Sequence, residues 1–85
     1  LTKACALDLA KYNILVNAIS PGFVDTILTR KILGKKIMNE IKKNVPLNKI
    51  AKPEEIVPYI VFLSSHHNHY ITGQNCVIDG GFTIQ

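Results

Sequence analysis

Tryptophan is absent from this 85-residue sequence, and cysteine occurs only twice, as Cys5 and Cys76. The two cysteines lie far apart and form no Cys-x-x-Cys pair, which excludes a redox motif of that kind. A disulfide between them stays open, but two buried, reduced thiols are what we expect of a cytoplasmic chain.

Long apolar runs are also missing. The longest, residues 56–63, has eight residues and contains Pro58, whereas a membrane-spanning helix needs about 20 apolar residues. There is no basic segment followed by an apolar one, as in a secretory signal, and no Asn-x-Ser/Thr glycosylation sequon. We therefore expect a cytoplasmic protein that has no membrane partner.

Acidic side chains are scarce, with six Asp and Glu against ten Lys and Arg, so the formal net charge is +4. The excess lies between residues 30 and 43, where Glu40 is outnumbered by Arg30, Lys31, Lys35, Lys36, Lys42 and Lys43. No aromatic residue is interleaved with these cations, so the stretch lacks the stacking surface of a nucleic-acid groove. We expect a solvated helix face and no nucleic acid partner, with an anionic substrate or carrier as the next alternative.

The pattern of the first half of the chain predicts a helix, a strand and a helix pair. Apolar residues at helical spacing predict a helix over residues 1–12, ended by Asn13, and a branched apolar run predicts a buried strand over residues 14–19. Two short helices are predicted over residues 27–45, because Gly34 weakens a continuous helix by about 1 kcal/mol. They form either a mobile lid or a static surface pair.

The second half adds a helix and a strand. Pro53 is suited to the first position of a helix, in which Ile56, Ile60 and Leu63 form the predicted buried stripe, and Pro58 should bend this helix or delay its start. Residues 75–78 predict a strand, followed by a tight turn and an apolar tail. The order helix-strand-helices-helix-strand indicates an α/β fold with a parallel sheet. Because the chain begins in a helical pattern without methionine, we expect a piece of a longer polypeptide.

The most informative stretch is the turn that follows the first strand. Pro21 cannot continue a hydrogen-bonded ladder, and Gly22 allows the backbone to approach its neighbours closely. In open α/β sheets, ligands bind at the carboxyl ends of the strands, where this turn would lie. The pattern predicts a ligand-facing turn, with a plain strand-to-helix turn as the alternative. Asn17, inside the apolar run, is expected to hold a neighbouring loop by hydrogen bonds.

Four ordered blocks resemble the short-chain dehydrogenase/reductase family, in particular its 3-oxoacyl-carrier-protein reductases. The first block joins Leu-Thr-Lys at 1–3 to Ile-Leu-Val-Asn-Ala-Ile-Ser-Pro-Gly at 14–22, and the second is Val-Asp-Thr at 24–26. The third is Pro-Glu-Glu-Ile at 53–56 with Phe-Leu-Ser-Ser at 62–65. The fourth is Tyr-Ile-Thr-Gly-Gln at 70–74 with Asp-Gly-Gly-Phe at 79–82. A Pro-Gly pair alone has no weight, but this series in this order is highly specific.

The resemblance implies the C-terminal portion of a Rossmann-type, doubly wound parallel sheet. Such a protein binds NAD or NADP and transfers hydride between the nicotinamide and a carbonyl or alcohol substrate. The resemblance implies that Pro21, Gly22 and Phe23 wall the nicotinamide ring. It also implies that the Val24 backbone holds the carboxamide, and that the Thr26 hydroxyl bonds to the carboxamide or the pyrophosphate.

Two further implications concern the substrate and the partners. By the same resemblance, residues 27–45 would form the substrate lid of a single Rossmann domain that includes residues 1–85. The last strand and the turn at residues 79–81 would lie at a subunit interface, since members of the family are usually homodimers or homotetramers.

The family's catalytic motifs are not among these residues. No Gly-x-x-x-Gly-x-Gly occurs, and Tyr12, Tyr59 and Tyr70 each lack a lysine four residues later. We therefore assign no catalytic residue and expect the 85 residues alone to catalyse nothing. The alternative is a non-catalytic interaction or oligomerisation fragment.

Three histidines lie close together in the chain, at positions 66, 67 and 69. Their spacing fits neither a helical pair nor a zinc finger. We expect a polar surface loop there and no metal site.

Overall fold

The computed structural model describes residues 1–85 as an α/β structure of three α-helices and two strands. The first strand is followed by a turn and a helix, and the second by a turn that includes a short 3-10 helix. The elements are α1 (Thr2–Leu9) with a 3-10 turn at Ala10–Tyr12, β1 (Ala18–Pro21), α2 (Ile27–Asn44), α3 (Pro53–Ser64), β2 (Asn75–Ile78) and a 3-10 turn at Phe82–Ile84. The predicted order of helices and strands is confirmed, and the predicted apolar tail contains a short 3-10 turn.

The sheet consists of β1 and β2, which pair in parallel as predicted, from Ala18 opposite Asn75 to Pro21 opposite Ile78. The bounds of the second strand were predicted correctly. The first strand was predicted four residues too early, because β2 begins only at Asn75 and offers no strand opposite residues 14–17. The backbone of Val16 is instead bonded to the loop before β2, its N–H to the Thr72 hydroxyl at 3.0 Å and its carbonyl to the Gly73 N–H at 2.7 Å.

β1 ends at Pro21, as predicted, but Pro21 is itself the last paired residue of the strand. The N–H groups of Ala18 and Gly22 donate to Gln74 and Ile78 at the two ends of the ladder, both at 2.9 Å. In a parallel pair alternate residues point their backbone groups at the partner strand, so the nitrogen of Pro21 faces the opposite edge. Its missing N–H therefore costs the ladder nothing, as is usual for proline on an edge strand.

The ends of the helices follow the predicted capping signals. Asn13 has the left-handed φ of 59° after the first helix. Pro53 opens α3, where the Glu55 side chain accepts a hydrogen bond from the Lys52 N–H at 3.0 Å. The helix runs from Pro53 to Ser64 with Pro58 inside it, so the predicted delayed start is wrong.

α2 is broken at Gly34, as the sequence predicted. Gly34 has φ 75° and ψ 165°, a non-helical conformation that divides α2 into two helical segments. This region of backbone space is open almost only to glycine. None of the helices is both long enough and apolar enough to cross a membrane.

Only four residues are buried, namely Ala6, Val45, Ile56 and Asn68. The predicted stripe of α3 is therefore only partly correct, since Ile60 is 47% exposed and Leu63 is half-buried. Cys5 and Cys76 are free thiols, but they are half-buried and not buried as predicted. Both deviations have one cause: two strands and three helices offer little surface against which apolar side chains can pack.

The loop between α3 and β2 is held by amide side chains. Asn17 donates from Nδ2 to the Ile71 carbonyl at 2.8 Å and accepts from the Gln74 N–H at 3.1 Å, which confirms its predicted role. The buried Asn68 adds bonds to the carbonyls of Leu63 and Ile71, both at 3.1 Å. These contacts fix the start of β2, and so the start of β1 beside it.

Candidate functional site

The turn after β1 lies against the end of β2. The two strands end side by side, so Gly22 lies next to Asp79. A Cβ atom on Gly22 would be 2.8 Å from the Asp79 Cβ and 2.9 Å from its Cα. Only a residue without a side chain fits at this distance, because real Cβ atoms do not approach backbone atoms so closely. The close approach predicted for Gly22 is confirmed, and its neighbour is the β2 turn.

Phe23 leaves the strand and packs on the other turn of the chain. Its ring meets the ring of Phe82 edge to face, with centroids 5.5 Å apart and planes at 89°. Such a T-shaped pair adds about 0.5–1.5 kcal/mol to the burial of the rings. This contact fixes the aromatic side chain that follows the Pro-Gly turn.

Val24 and Asp25 are attached to the segment before α3. Val24 forms a parallel bridge with Ala51, and the Asp25 N–H donates to the Ala51 carbonyl at 2.8 Å. The Val24 carbonyl accepts from the Thr26 N–H at 3.0 Å. Among the backbone hydrogen bonds outside helices and strands, none is donated by the Val24 N–H. This donor is therefore available to a ligand, as the predicted carboxamide contact requires.

Thr26 is the N-cap of α2. Its Oγ1 accepts from the Thr29 N–H at 3.1 Å and lies 2.8 Å from the Thr29 hydroxyl oxygen. A hydroxyl has one proton and two acceptor lone pairs. When Thr29 donates its hydroxyl proton to Thr26, both lone pairs of Thr26 are used and its own proton is free for a ligand. In that arrangement of the two hydroxyls, Thr26 keeps one donor for a ligand.

Four of the five predicted cofactor residues line one open cavity of about 390 Å³. They are Gly22, Phe23, Val24 and Thr26, while Pro21 is exposed and is not among the lining residues. The first segment of α2 supplies the opposite wall, with Leu28, Thr29, Ile32 and Leu33. The cavity therefore combines a rigid turn, polar groups at the helix start and an apolar wall. It is of a size that small-molecule sites have.

The residues of the opposite wall were not predicted as site residues. Leu28 and Ile32 were recognised only as part of an apolar stripe along residues 27–45. The signals that could have found them are the i, i+4 spacing of these two residues and the Thr-x-x-Thr spacing of the cap, which fixes where α2 begins.

Asp25 and Arg30 form an ion pair beside this cavity. Arg30 donates from Nε to Oδ1 at 2.6 Å and from Nη2 to Oδ2 at 2.9 Å, the paired geometry that guanidinium and carboxylate favour. The Arg30 guanidinium lowers the pKa of the Asp25 carboxyl, and the carboxylate in turn raises the pKa of Arg30. Both groups therefore stay charged throughout the physiological pH range.

A second cavity, of about 290 Å³, lies on the other side of Phe23. Phe23 lines both cavities, and the second is otherwise formed by residues of α3, the end of β2 and the segment after α2. At its edge Lys49 forms an ion pair with Glu55. The Lys49 ammonium lowers the pKa of the Glu55 carboxyl by direct hydrogen bonding.

The turn after β2 is organised by the Asp79 carboxylate. It accepts from the N–H groups of Gly81 and Thr83, both at 3.0 Å, and the Leu47 N–H donates to the Gly80 carbonyl at 3.1 Å. A Cβ on Gly80 would be 2.8 Å from the buried Val45 side chain. The turn is therefore packed against the end of α2, and its predicted place at a subunit interface stays a prediction.

The stability of this turn should depend on pH through Asp79. Hydrogen bonds from the Thr83 side chain, and then from backbone N–H groups, lower the pKa of the Asp79 carboxyl. A carboxyl with a lowered pKa in the folded state stabilises the fold above its unfolded-state pKa, and this contribution is lost as pH falls through the lower folded-state value. We expect urea midpoints of the full-length protein to fall in acid, with a smaller fall in Asp79→Asn. Parallel pH profiles of the two proteins would contradict this.

The histidine loop is exposed, as predicted. His66 and His67 lie with ring centroids 4.2 Å apart, and both side chains, like that of His69, face solvent. None of the three lines either of the cavities next to Phe23.

Parallel strands with helices between them and a cavity of small-molecule size at their carboxyl ends are features of open α/β proteins, which bind ligands at that edge of the sheet. The sequence model of the family described as Enoyl-(Acyl carrier protein) reductase matches residues 1–83. The chain belongs to this family of short-chain dehydrogenases/reductases, which confirms the resemblance seen in the sequence.

Individual relatives agree with this assignment. A 3-oxoacyl-(acyl-carrier-protein) reductase of Thermotoga maritima is 44% identical over 84 residues, which are 99% of this chain and 34% of that protein. The crystal structure of a short chain dehydrogenase family protein from Francisella tularensis is 42% identical and superposes with a TM-score of 0.92, over 99% of this chain and 39% of the other.

A third relative was solved with a ligand. A 4-hydroxyisoleucine dehydrogenase complexed with NADH is 44% identical, with a TM-score of 0.88, over 99% of this chain and 35% of the other. The likeness to these structures confirms the Rossmann-type α/β fold. The chain spans about one third of the length of the relatives it matches.

Proposed function

We propose that the full-length protein containing this chain is an NAD- or NADP-dependent oxidoreductase. It transfers hydride between the nicotinamide and a small carbonyl or alcohol substrate. The observation that carries the proposal is the cavity at the end of β1, where Gly22, Phe23, Val24 and Thr26 meet. Relatives described as an NADH complex and as an NAD-dependent glycerol dehydrogenase support it.

The residues at this cavity fit the nicotinamide end of such a cofactor. The turn at Gly22 has no room for a side chain, and with Phe23 it lines the cavity beside which an aromatic ring could bind. The Val24 N–H is available to an amide oxygen, and the Thr26 hydroxyl can donate to the carboxamide or to a phosphate oxygen. Pro21 would contribute through its place in the strand, since its side chain does not line the cavity.

The chemistry supplied by the bound cofactor is hydride transfer, and the residues of this chain would orient it. The turn at the end of β1 would hold the nicotinamide at a rigid strand end beside this cavity. Residues 27–45 would cover the substrate as a lid, and the apolar wall of Leu28, Ile32 and Leu33 would exclude water. The exposed basic face of α2 would stay in solvent or attract an anionic substrate.

The proposal assigns no catalytic residue to these 85 residues. Neither a Tyr-x-x-x-Lys pair nor a Gly-x-x-x-Gly-x-Gly turn occurs among them. We expect residues 1–85 alone to be inactive. We further propose a cytoplasmic homodimer or homotetramer, in which the turn at residues 79–81 lies near a subunit interface.

Cofactor binding by the full-length protein tests the proposal. NADH and NADPH are titrated separately while the fluorescence of the nicotinamide is followed, and the isolated 85 residues serve as a control. We expect saturable binding of at least one cofactor by the full-length protein only. A full-length protein that binds neither cofactor would contradict the proposal and favour a non-catalytic interaction module, for which the exposed apolar side chains of α3 offer a surface.

A further inference from the structure

The first segment of α2, residues 27–33, is not held in place by apolar packing. Its apolar side chains are mostly in solvent, with Ile27 73%, Leu28 65% and Ile32 70% exposed. α2 has no extensive contact with any other helix or strand of the chain. Yet this segment forms one wall of the cavity at the Pro-Gly turn. Among residues 1–85, a contact other than apolar packing therefore has to position that wall.

The segment is a separate helical unit, because the backbone is non-helical at both of its ends. At one end Thr26 is extended, with φ −111° and ψ 166°, before the helix begins. At the other end the non-helical Gly34 separates it from the rest of α2, and no atom lies within 4 Å of where a Cβ on Gly34 would be. The second segment of α2 is anchored independently, since it leads into the buried Val45.

The ion pair between Asp25 and Arg30 connects the first segment of α2 to the part of the chain that precedes it. Asp25 belongs to the fixed side, because its N–H is bonded to Ala51 at 2.8 Å and its neighbour Val24 forms a bridge to the same residue. Arg30 belongs to the segment, and both of its hydrogen bonds to the Asp25 carboxylate restrict its orientation as well as its distance. A paired guanidinium is preorganised for such a contact, so it limits rotation of the helix in a way a single bond cannot.

We infer that Asp25 and Arg30 form a latch that holds residues 27–33 over the cavity and so positions its apolar wall opposite the nicotinamide-facing turn. Both are positioning residues, since neither side chain lines that cavity. With the latch closed, Leu28, Ile32 and Leu33 face the turn. With it open, the segment pivots at Thr26 and Gly34 and the cavity loses that wall. The effect on cofactor binding rests on the proposed function, whereas the effect on the segment does not.

The test uses the full-length protein with Asp25→Asn, Arg30→Gln and the double substitution. Lys31→Gln is the matched control, because it removes the same charge from the same segment without breaking an ion pair. Amide hydrogen exchange of residues 27–33 is measured without cofactor. We expect exchange to become about two- to fivefold faster than in the wild type in both single variants, as loss of an exposed ion pair predicts. The double variant should exchange no faster than the single variants.

The second measurement is the dissociation constant of NADH and of NADPH. We expect Asp25→Asn and Arg30→Gln to raise it about two- to fivefold with an unchanged global unfolding midpoint, and Asp25→Glu to restore most of the affinity. The latch would be overturned if residues 27–33 exchanged no faster in Asp25→Asn and Arg30→Gln than in Lys31→Gln. Faster exchange with unchanged dissociation constants would contradict the positioning role. Faster exchange in a protein that binds neither cofactor would support the latch and refute the proposed function.

Discussion

Replacing Gly22 by valine should abolish cofactor binding and destabilise the full-length protein by about 2–3 kcal/mol, the range for overpacked sites. The first atom of any side chain there would lie 2.8–2.9 Å from Asp79, whose position is fixed by the end of β2. To remove this overlap, β1 and β2 must separate at their carboxyl ends, where the Gly22 N–H donates to the Ile78 carbonyl at 2.9 Å. The turn would then be displaced at the edge of the cavity that we propose holds the nicotinamide.

A graded series measures this effect. Gly22→Ala already introduces the colliding atom and should lose most of the affinity for NADH or NADPH, while Gly22→Val loses all of it. Ser20→Ala is the control in the same strand, because it removes only an exposed hydrogen bond to Asn75. Denaturant midpoints and fluorescence titrations check both quantities. Wild-type affinity in Gly22→Ala would show that the turn does not approach the cofactor.

The second large effect is expected from Thr26→Val, which keeps the shape of the side chain and removes its hydroxyl. Loss of the N-cap should cost about 1 kcal/mol in stability, because the Thr29 N–H is left without its acceptor. Loss of the donor should weaken cofactor binding about tenfold, as expected for one hydrogen bond to a phosphate or amide oxygen. The expected result is therefore a combined loss of stability and affinity.

Two variants separate the cap from the ligand contact. Thr26→Ser keeps the hydroxyl and should keep both stability and affinity close to those of the wild type. Thr29→Val removes the hydroxyl that lies 2.8 Å from Oγ1 of Thr26 but leaves the Thr26 donor in place. It should therefore change affinity little. If Thr26→Val bound NADH and NADPH as well as Thr26→Ser does, the hydroxyl would serve only as a helix cap.

Local signals in the sequence predicted the elements well where the responsible contacts are local. Pro53 at the start of α3, Asn13 after α1 and Gly34 inside α2 act through backbone conformations of their own residues. The strand over residues 14–19 was misplaced because its bounds depend on β2, which lies more than 50 residues away in the sequence. The partner strand, and not the apolar run, decides where a strand begins.

The same distinction holds for the candidate site. The turn residues from Gly22 to Thr26 were predicted because the sequence there matches a family motif. The wall formed by Leu28, Ile32 and Leu33 depends on the direction in which α2 leaves the turn, which no residue pattern specifies. The bridge from Val24 to Ala51 was likewise invisible, since it joins two segments that are not regular strands.

The most direct test of the account is an NMR titration of the isotopically labelled full-length protein with NADH and NADPH. The account predicts that the amide signals of Gly22, Phe23, Val24 and Thr26 shift on binding, together with those of residues 28–33. The amide signals of the exposed histidine loop, residues 66–69, should stay unchanged. Saturable cofactor binding that leaves the signals of residues 22–26 unshifted would contradict the claim that this turn contacts the nicotinamide.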